Sequence, residues 1–253
     1  MAKVISISNQ KGGVGKTTTT GAVASGFKLK GYRVLCVDLD PQSNLSFSAG
    51  AETDDCTTVY EVLKGDAKAS AAIQNTSSFD VIASNILLSG IELEFTQTGR
   101  EYLLKEALSS IKDNYDYIFI DTPPALSILT VNAFTASDYI IIPMVADIFS
   151  LQGIAQLSET INRVRAYCNS SLKIEGIILT KFNKRTVLGR EIKGTAELIA
   201  DELNTSLFNA TIRASVALTE AQTNQQNIHD YSPKNGTALD YLEFVNELLE
   251  RGI

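Results

Sequence analysis

The sequence of 253 residues predicts an α/β protein with three layers, in which helices cover both faces of a doubly wound, mainly parallel sheet. Short, β-branched apolar segments alternate with longer helical patterns along the chain. Several segments, such as residues 117–120, are apolar at every position, which is typical of parallel strands buried on both faces. Strand–helix alternation of this kind implies right-handed βαβ crossovers, and these produce a doubly wound sheet.

The individual elements follow from this alternation. Strands are predicted at residues 4–8, 33–37, 79–83, 117–120, 139–143, 174–180 and 207–212. Helices are predicted at residues 17–30, 99–112, 151–168, 188–203 and 236–250. Residues 41–75 are rich in Ser, Thr, Asp and Ala, and we interpret them as a surface insertion with a short helix at 58–64. Neither a repeat nor a composition break divides the chain, so residues 1–253 are predicted to form a single domain.

Composition and charge argue against several classes of protein. Three widely spaced cysteines and one histidine argue against a disulfide framework, a zinc site and an iron–sulfur cluster. No apolar run reaches the roughly 20 residues of a membrane span, and the chain begins directly with a predicted strand. We therefore expect no membrane partner, no signal peptide and a cytoplasmic location. The net charge of −7 argues against a uniformly basic nucleic-acid-binding surface, although one basic face remains compatible with it.

A glycine-rich segment, KGGVGKTT, follows the first predicted strand and precedes the first predicted helix. Glycines let the backbone approach phosphate oxygens, and the helix N-terminus adds free N–H groups and a positive dipole end. This order of elements predicts a phosphate-binding P-loop. Lys16 is predicted to contact the β- and γ-phosphates of ATP, and the Thr17 hydroxyl to bind Mg²⁺. The other nucleotide-binding positions of the segment are Lys11, Gly12, Gly13, Val14, Gly15 and Thr18.

Acidic residues follow two of the predicted strands. Asp38 and Asp40 lie in the segment VDLDPQSN, and Asp121 ends the apolar segment 117–120. Carboxylates at the carboxyl ends of parallel strands border the crevice in which such sheets bind ligands. Asp121 is predicted to hold Mg²⁺ as a Walker B acid. Without the glycine-rich segment, VDLDPQSN would indicate only an ordinary turn after a strand.

Together these motifs resemble the deviant Walker A ATPases, the ParA/Soj and MinD superfamily of P-loop NTPases. The resemblance rests on KGGVGKT, with an additional lysine at position 11 and Gln10 in place of the usual first glycine, on DLDPQSN, and on IDTPP at 120–124. It implies that Lys11 reaches the phosphates of a partner subunit, so that ATP binding produces a homodimer. It also implies that Asp40 orients or activates the attacking water and that Asp38 supports Mg²⁺ and its water shell.

The resemblance extends to the carboxyl-terminal half of the chain. Lys181, Phe182 and Asn183 occupy the place of the family's base-contacting loop. Residues 181–193 contain five basic residues and one acidic residue, which could bind DNA phosphates independently of base sequence. From charge alone, a solvated helix face explains this pattern equally well. The resemblance to the ParA/Soj branch favours DNA, and the candidate contacts are Lys184, Arg185, Arg190, Lys193 and Arg213.

The function implied by the resemblance is a Mg²⁺-dependent ATPase that binds non-specific DNA. Such a protein would partition plasmid or chromosomal DNA on the nucleoid with a ParB-like, centromere-binding partner. The branch commonly has Pro-Arg and a further arginine where this chain has Arg213, Ala214 and Ala217. The alternative is therefore a Min-like or scaffold-positioning ATPase that places a protein or membrane cargo. The last predicted helix, 236–250, is acidic, which disfavours binding to anionic lipid.

Overall fold

The computed structural model describes residues 1–145 and 150–253, and it describes the side chains of these residues except at 92, 150–153, 187, 188 and 190. Within this part of the chain, eight strands form one sheet in the order β3-β4-β2-β5-β1-β6-β7-β8. β3 is antiparallel to β4, and the other neighbouring pairs are parallel. The strands are β1 (Lys3–Ile7), β2 (Val34–Asp38), β3 (Ile73–Asn75), β4 (Asp80–Ile82), β5 (Tyr117–Asp121), β6 (Tyr139–Val145), β7 (Lys173–Thr180) and β8 (Leu207–Thr211).

Helices connect the strands and cover the sheet. The first five are α1 (Lys16–Leu29), α2 (Asn44–Ser48), α3 (Val59–Lys64), α4 (Ile91–Glu94) and α5 (Leu103–Ser109). The others are α6 (Ile128–Ala136), α7 (Ser150–Tyr167), α8 (Val187–Glu202), α9 (Val216–Thr223), α10 (Ile228–Tyr231) and α11 (Gly236–Glu250). None of the described helices combines the length and the apolar character needed to cross a membrane.

Apolar side chains alternate between the two faces of the central strand β5. Ile118 and Ile120 belong to one buried cluster, which also contains side chains of α3, α5, α6 and α8. Phe119 belongs to a second cluster, which contains side chains of α1 and α11. Because both faces are covered, every position of β5 is buried. The predicted three-layer, doubly wound fold is confirmed.

The prediction for residues 41–75 is wrong in one respect. These residues were expected to form a surface insertion, but Leu45, Val59 and Leu63 are almost completely buried. The predicted short helix is present as α3, and its first turn has a capping box formed by Thr58 and Glu61. The segment also contributes β3, which has only three residues and is too short to show a strand periodicity.

Helix α6 was not predicted from the sequence. It follows Pro123 and Pro124, and apolar or small side chains are buried on most of its surface, including Leu129, Ala133 and Phe134. A buried helix of nine residues therefore lacks the amphipathic periodicity that identifies a helix at the protein surface. The predicted helix at 99–112 is also shorter than expected, because a 3₁₀ turn at Arg100–Tyr102 precedes α5.

The strand order brings the predicted site residues together. β5 lies between β1 and β2, with Asp121 in register with both Ile7 and Asp38. The loop that follows β1 and the acids that end β2 and β5 therefore meet at one edge of the sheet. This edge is the carboxyl end of the parallel strands, where doubly wound sheets bind ligands.

Candidate nucleotide-binding site

The loop between β1 and α1 has the backbone conformation of a phosphate cradle. Gly13 and Gly15 have φ angles of 74° and 86°, in the left-handed region that favours glycine. A Cβ atom at Gly12 or Gly13 would meet no heavy atom within 4 Å, so the space beside these two residues is open. The loop leads directly into the N-terminus of α1, whose free N–H groups attract anions. The loop can therefore surround a phosphate group.

Polar side chains at the ends of β1 and β7 hold this loop in place. The Asn9 side chain donates to the Pro143 carbonyl at 2.7 Å and accepts from the Lys11 backbone N–H at 3.0 Å. The Thr180 hydroxyl donates to the Val14 carbonyl at 2.7 Å, and Lys181 Nζ donates to the Gly13 carbonyl at 2.9 Å. These bonds turn two loop carbonyls toward the end of β7. Asn9 and Thr180 were not predicted, although each lies at or just beyond a strand end.

Lys16 is buried at the first position of α1, with 7% of its surface exposed. Burial lowers the pKa of its ammonium group, and the nearby carboxylates of Asp121 and Asp40 act in the opposite direction. Its Nζ donates to the Lys11 carbonyl at 3.4 Å. The predicted phosphate-binding cation is thus held at the base of the loop, among acidic side chains.

Asp121 is completely buried at the end of β5. Its Oδ1 accepts from the Thr20 hydroxyl at 3.3 Å, and the Thr17 side chain also hydrogen-bonds to this carboxylate. Its Oδ2 is buried without a hydrogen-bond partner. Burial raises the pKa of Asp121, and the negative charge of Asp38 raises it further. A buried carboxylate oxygen without a partner suits a cation, which would supply the missing interaction.

The acidic side chains of the site suit Mg²⁺ that is bound partly by phosphate and water. In the described structure they do not form a site in which protein ligands alone enclose a metal ion. In the described part of the chain, no group of three or more His, Cys, Asp or Glu side chains is arranged to hold a metal ion. Mg²⁺ commonly binds one or two carboxylates together with substrate phosphates and water. Asp121 and the Thr17 hydroxyl are the groups that could hold it here, beside the phosphate cradle.

Asp38 is a hub of hydrogen bonds within the protein. Its Oδ2 accepts from the backbone N–H and the hydroxyl of Ser46, at 2.9 and 2.7 Å. Its Oδ1 accepts from the backbone N–H of Asp40 at 3.0 Å. Burial raises the pKa of Asp38 to about 6, although these hydrogen bonds act to lower the pKa. Asp38 therefore links the end of β2 to α2, a contact that its predicted role beside Mg²⁺ did not include.

Asp40 faces the cleft described below, and its backbone is fixed independently of its carboxylate. The Ser84 hydroxyl donates to the Asp40 carbonyl at 2.7 Å, and the Ser84 backbone N–H donates to the Ser46 hydroxyl at 3.0 Å. Within the described part of the chain, Asp40 Oδ1 accepts a local bond from the Gln42 N–H at 3.0 Å. Ser46 and Ser84 were not predicted, because isolated serines carry no sequence signal.

A cleft of about 880 Å³ opens between the phosphate loop and the segment after β8. Gly12, Gly13, Gly15, Lys16, Thr17 and Thr18 line one side, next to Asp40, Asn44, Phe47 and Pro124. Thr180 and Lys181 lie between the two sides, and much of the opposite wall consists of residues in the range 212–223, including Ile212, Arg213, Ala214, Ser215 and Val216. The sequence did not predict this second wall, since its side chains match no motif.

The predicted base-contacting loop is only partly in the cleft. Lys181 lines it, but Phe182 packs into the core with 6% of its surface exposed. Asn183 is absent from the described lining, and its side chain accepts from the backbone N–H of Arg185 at 3.1 Å. The backbone at Lys181 has a φ angle of 50°, and the turn there sends neighbouring side chains to different sides. Of the three predicted residues, Lys181 alone borders the cleft in the described structure.

The predicted DNA contacts lie on the loop before α8, on α8 itself and on the segment after β8. Lys184 and Arg185 are exposed in the loop before α8, and Lys193 of α8 forms an exposed ion pair with Glu197 at 3.7 Å. The side chain of Arg190 lies outside the described part of the chain. Arg213 lines the cleft and pairs with Asp240 of α11 at 2.7 Å, and its role as a DNA contact stays a prediction.

Comparison with known proteins is consistent with this geometry. A family model described as an AAA domain matches residues 2–174, more than half of the chain. The sporulation initiation inhibitor protein Soj of Bacillus subtilis is 40% identical over 256 residues, which cover 100% of each chain. The chain belongs to the ParA/Soj family of P-loop NTPases.

Other ParA/Soj-like sequences and P-loop structures match over similar lengths. The chromosome partitioning protein ParA of Caulobacter vibrioides is 38% identical, with 98% of this chain and 94% of the relative covered. A crystal structure of cobyrinic acid a,c-diamide synthase from Mycobacterium smegmatis, with a bound ATP analogue and magnesium, superimposes with a TM-score of 0.81. It is 33% identical, and the match covers 99% of this chain and 96% of that one. The predicted resemblance to ParA/Soj proteins is confirmed.

Proposed function

We propose that this chain is a Mg²⁺-dependent ATPase that dimerises when it binds ATP, binds non-specific DNA, and partitions DNA with a ParB-like partner on the nucleoid in the cytoplasm. We further propose that residues 1–253 form one P-loop ATPase domain. The observation that carries the proposal is the buried Lys16 within the charge field of Asp40 and Asp121, at the base of an open glycine loop. Membership of the ParA/Soj family supports the partition role.

The residues of the site divide the work of ATP hydrolysis. The glycine loop and Lys16 bind the phosphates and offset their negative charge. Bound beside Asp121 and Thr17, Mg²⁺ would neutralise charge on the phosphate oxygens. Asp40 has a carboxylate that faces the cleft and can accept a proton from, or orient, a water molecule. Asp38 holds the backbone of Asp40 in place through its hydrogen bond to the Asp40 N–H.

Lys11 is the residue that couples ATP to dimerisation in this proposal. Its backbone is fixed on both sides, by Asn9 and by Lys16. Membership of the ParA/Soj family supports a role for Lys11 in the cleft of a partner subunit. A lysine that crosses the interface would add charge-assisted hydrogen bonds to phosphate only in the ATP-bound dimer.

Lys11→Ala should bind ATP as a monomer but form no ATP-dependent dimer. Size-exclusion chromatography with light scattering, in the presence of Mg²⁺ and a non-hydrolysable ATP analogue, measures the mass. Lys30→Ala removes an exposed lysine from the chain and serves as the control. A Lys11→Ala protein with the mass of a normal ATP dimer would remove the trans role from this lysine.

DNA binding is assigned to the exposed basic residues around the start of α8. Lys184 and Arg185 are exposed, and Lys193 lies on α8 beyond them. Contacts of this kind release counterions from DNA, and their affinity falls steeply with salt. Dimerisation would double the number of contacts, which links DNA affinity to ATP.

DNA binding should therefore be stronger with ATP than with ADP, and the basic residues should carry it. Fluorescence anisotropy with random-sequence duplex DNA is measured over a range of salt concentrations, in the presence of a non-hydrolysable ATP analogue or ADP. Lys184→Glu/Arg185→Glu should weaken binding in the ATP state at least about tenfold and lower the salt dependence by about one ion per lost phosphate contact. Lys30→Glu/Lys105→Glu reverses two exposed lysines elsewhere and should leave binding unchanged. Equally weak binding in both nucleotide states at low salt would contradict the DNA-binding part of the proposal.

A second candidate function is the positioning of a protein or membrane cargo. It is favoured by the alanines at positions 214 and 217 and by the engagement of Arg213 with Asp240. Both changes reduce the positive charge available to DNA near the cleft. The same ATP switch would serve this function, and the anisotropy measurement separates the two, since a positioning ATPase of this kind need not respond to DNA.

A further inference from the structure

Arg213 is fixed in the wall of the cleft by one carboxylate. Its Nε and one terminal nitrogen donate to the two oxygens of Asp240, each at 2.7 Å. Its backbone N–H donates to the same carboxylate at 3.0 Å. The Asp240 side chain lies on α11 and is only 9% exposed. Because one buried carboxylate binds both the main chain and the planar side chain, the orientation of the guanidinium plane is defined.

Gly236 lies against a flat face of this guanidinium group. A Cβ atom at Gly236 would be 2.5 Å from Nη1, 2.8 Å from Cζ and 3.1 Å from Nε of Arg213. Three such similar distances place Gly236 over the plane of the group and not at its edge. One edge of the guanidinium is thus held by Asp240 and one face by Gly236, while 59% of the side chain is still exposed.

The exposed part of Arg213 borders the cleft. Ile212, Ala214 and Ser215 line the same wall, and the glycine loop with Lys16 lines the other side. A nucleotide with its phosphates in the loop directs its nucleoside away from the loop, along the remaining lining. A guanidinium plane stacks favourably on a planar aromatic ring, and a clamped guanidinium loses little side-chain freedom when it does so.

We propose that Arg213, oriented by Asp240 and Gly236, stacks on the base of the bound nucleotide and contributes to nucleotide affinity. This inference rests on the proposed function, because it requires that the cleft binds ATP. It concerns a position at which the resembled branch commonly has proline, so it describes this chain and not the family. Arg213 acts on the nucleoside in both ATP and ADP, and it takes no part in hydrolysis or in DNA binding.

The test compares ligands with and without a base. Arg213→Gln/Asp240→Asn removes the guanidinium without leaving a buried carboxylate unpaired. We expect its Kd for ATP and for ADP to rise about tenfold, equivalent to about 1.4 kcal/mol, which lies in the range of base stacking. The Kd for inorganic tripolyphosphate should stay unchanged, because this ligand has no base. Titration calorimetry measures all three, and circular dichroism melting without ligand verifies the fold.

Two further variants separate stacking from charge and from general effects on α11. Arg213→Lys keeps the positive charge but lacks the planar group, and it should weaken ATP and ADP binding as the double variant does. Arg251→Gln breaks another arginine–carboxylate pair at the carboxyl end of α11, with Glu247 at 2.8 Å, and should leave all three Kd values unchanged.

Several results would overturn the inference. They are an unchanged Kd for ATP in the double variant, an equal loss of tripolyphosphate binding, full recovery by lysine, or a loss of DNA binding with normal nucleotide affinity. If the wild-type protein bound neither ATP nor ADP, the proposed function would fail as well. If the wild type and the double variant bound ATP equally, the stacking role alone would fail.

Discussion

Lys16→Ala is expected to lose nucleotide binding, with the Kd for ATP raised at least about 100-fold. A charge-assisted hydrogen bond contributes roughly 1.5–3 kcal/mol, and a 100-fold change corresponds to about 2.7 kcal/mol. The charge balance of the site explains why we expect the loss of binding free energy to lie at the upper end of this range. With the ammonium group removed, the anionic phosphates would face the carboxylates of Asp121 and Asp40 with no protein cation at the base of the loop.

Titration calorimetry with ATP and Mg²⁺ measures this loss. Lys28→Ala is a matched control, because Lys28 lies on the same helix but donates to the Ser77 carbonyl at 3.1 Å, outside the lining of the cleft. A melting curve without nucleotide should show that the Lys16→Ala protein is folded. Wild-type affinity in this variant would contradict the assignment of the phosphate site.

Asp40→Ala is expected to retain ATP binding and the ATP-dependent dimer but to hydrolyse ATP roughly 10²–10⁴ times more slowly, the usual contribution of a general base. The backbone of this segment should keep its position, since Ser84 binds the Asp40 carbonyl and Asp38 binds the Asp40 N–H. The substitution therefore removes the carboxylate that faces the cleft and only one local hydrogen bond, from Gln42.

The measurements are single-turnover hydrolysis, the Kd for ATP and the mass of the ATP complex. Asp40→Asn retains a side-chain oxygen that can accept the hydrogen bond from the Gln42 N–H, so it separates the loss of the base from any loss of local structure. Normal turnover in either variant would assign the activation of water to another group. A large rise in the Kd for ATP would indicate that Asp40 organises the site and does not act mainly on water.

The chemistry of the phosphate site could be predicted because its residues are adjacent in sequence. A glycine loop and the lysine at its end occupy one short segment, and each acid directly follows an apolar strand. The sheet then places these ends side by side, with Asp38 opposite Asp121. Buried strands have a clear sequence pattern, so most of the central sheet was also predictable, whereas the short strand β3 and the buried helix α6 were not.

The opposite wall of the cleft could not be predicted because its contacts join distant parts of the chain. Arg213 and Asp240 are 27 positions apart, and their pairing depends on how α11 packs beside β8. In the same way, Ser84 reaches Asp40 across 44 positions. A single serine or arginine has no pattern of its own.

The bonds from Asn9, Thr180 and Lys181 to the phosphate loop have a consequence for the kinetics and energetics of binding. They fix the backbone of the loop through contacts within the protein. Little conformational entropy is then lost when a phosphate group enters, so more of the interaction energy becomes affinity. The loop would therefore bind the shared phosphates of ATP and ADP in the same way. Discrimination between ATP and ADP would depend on the groups around the terminal phosphate and on the partner subunit.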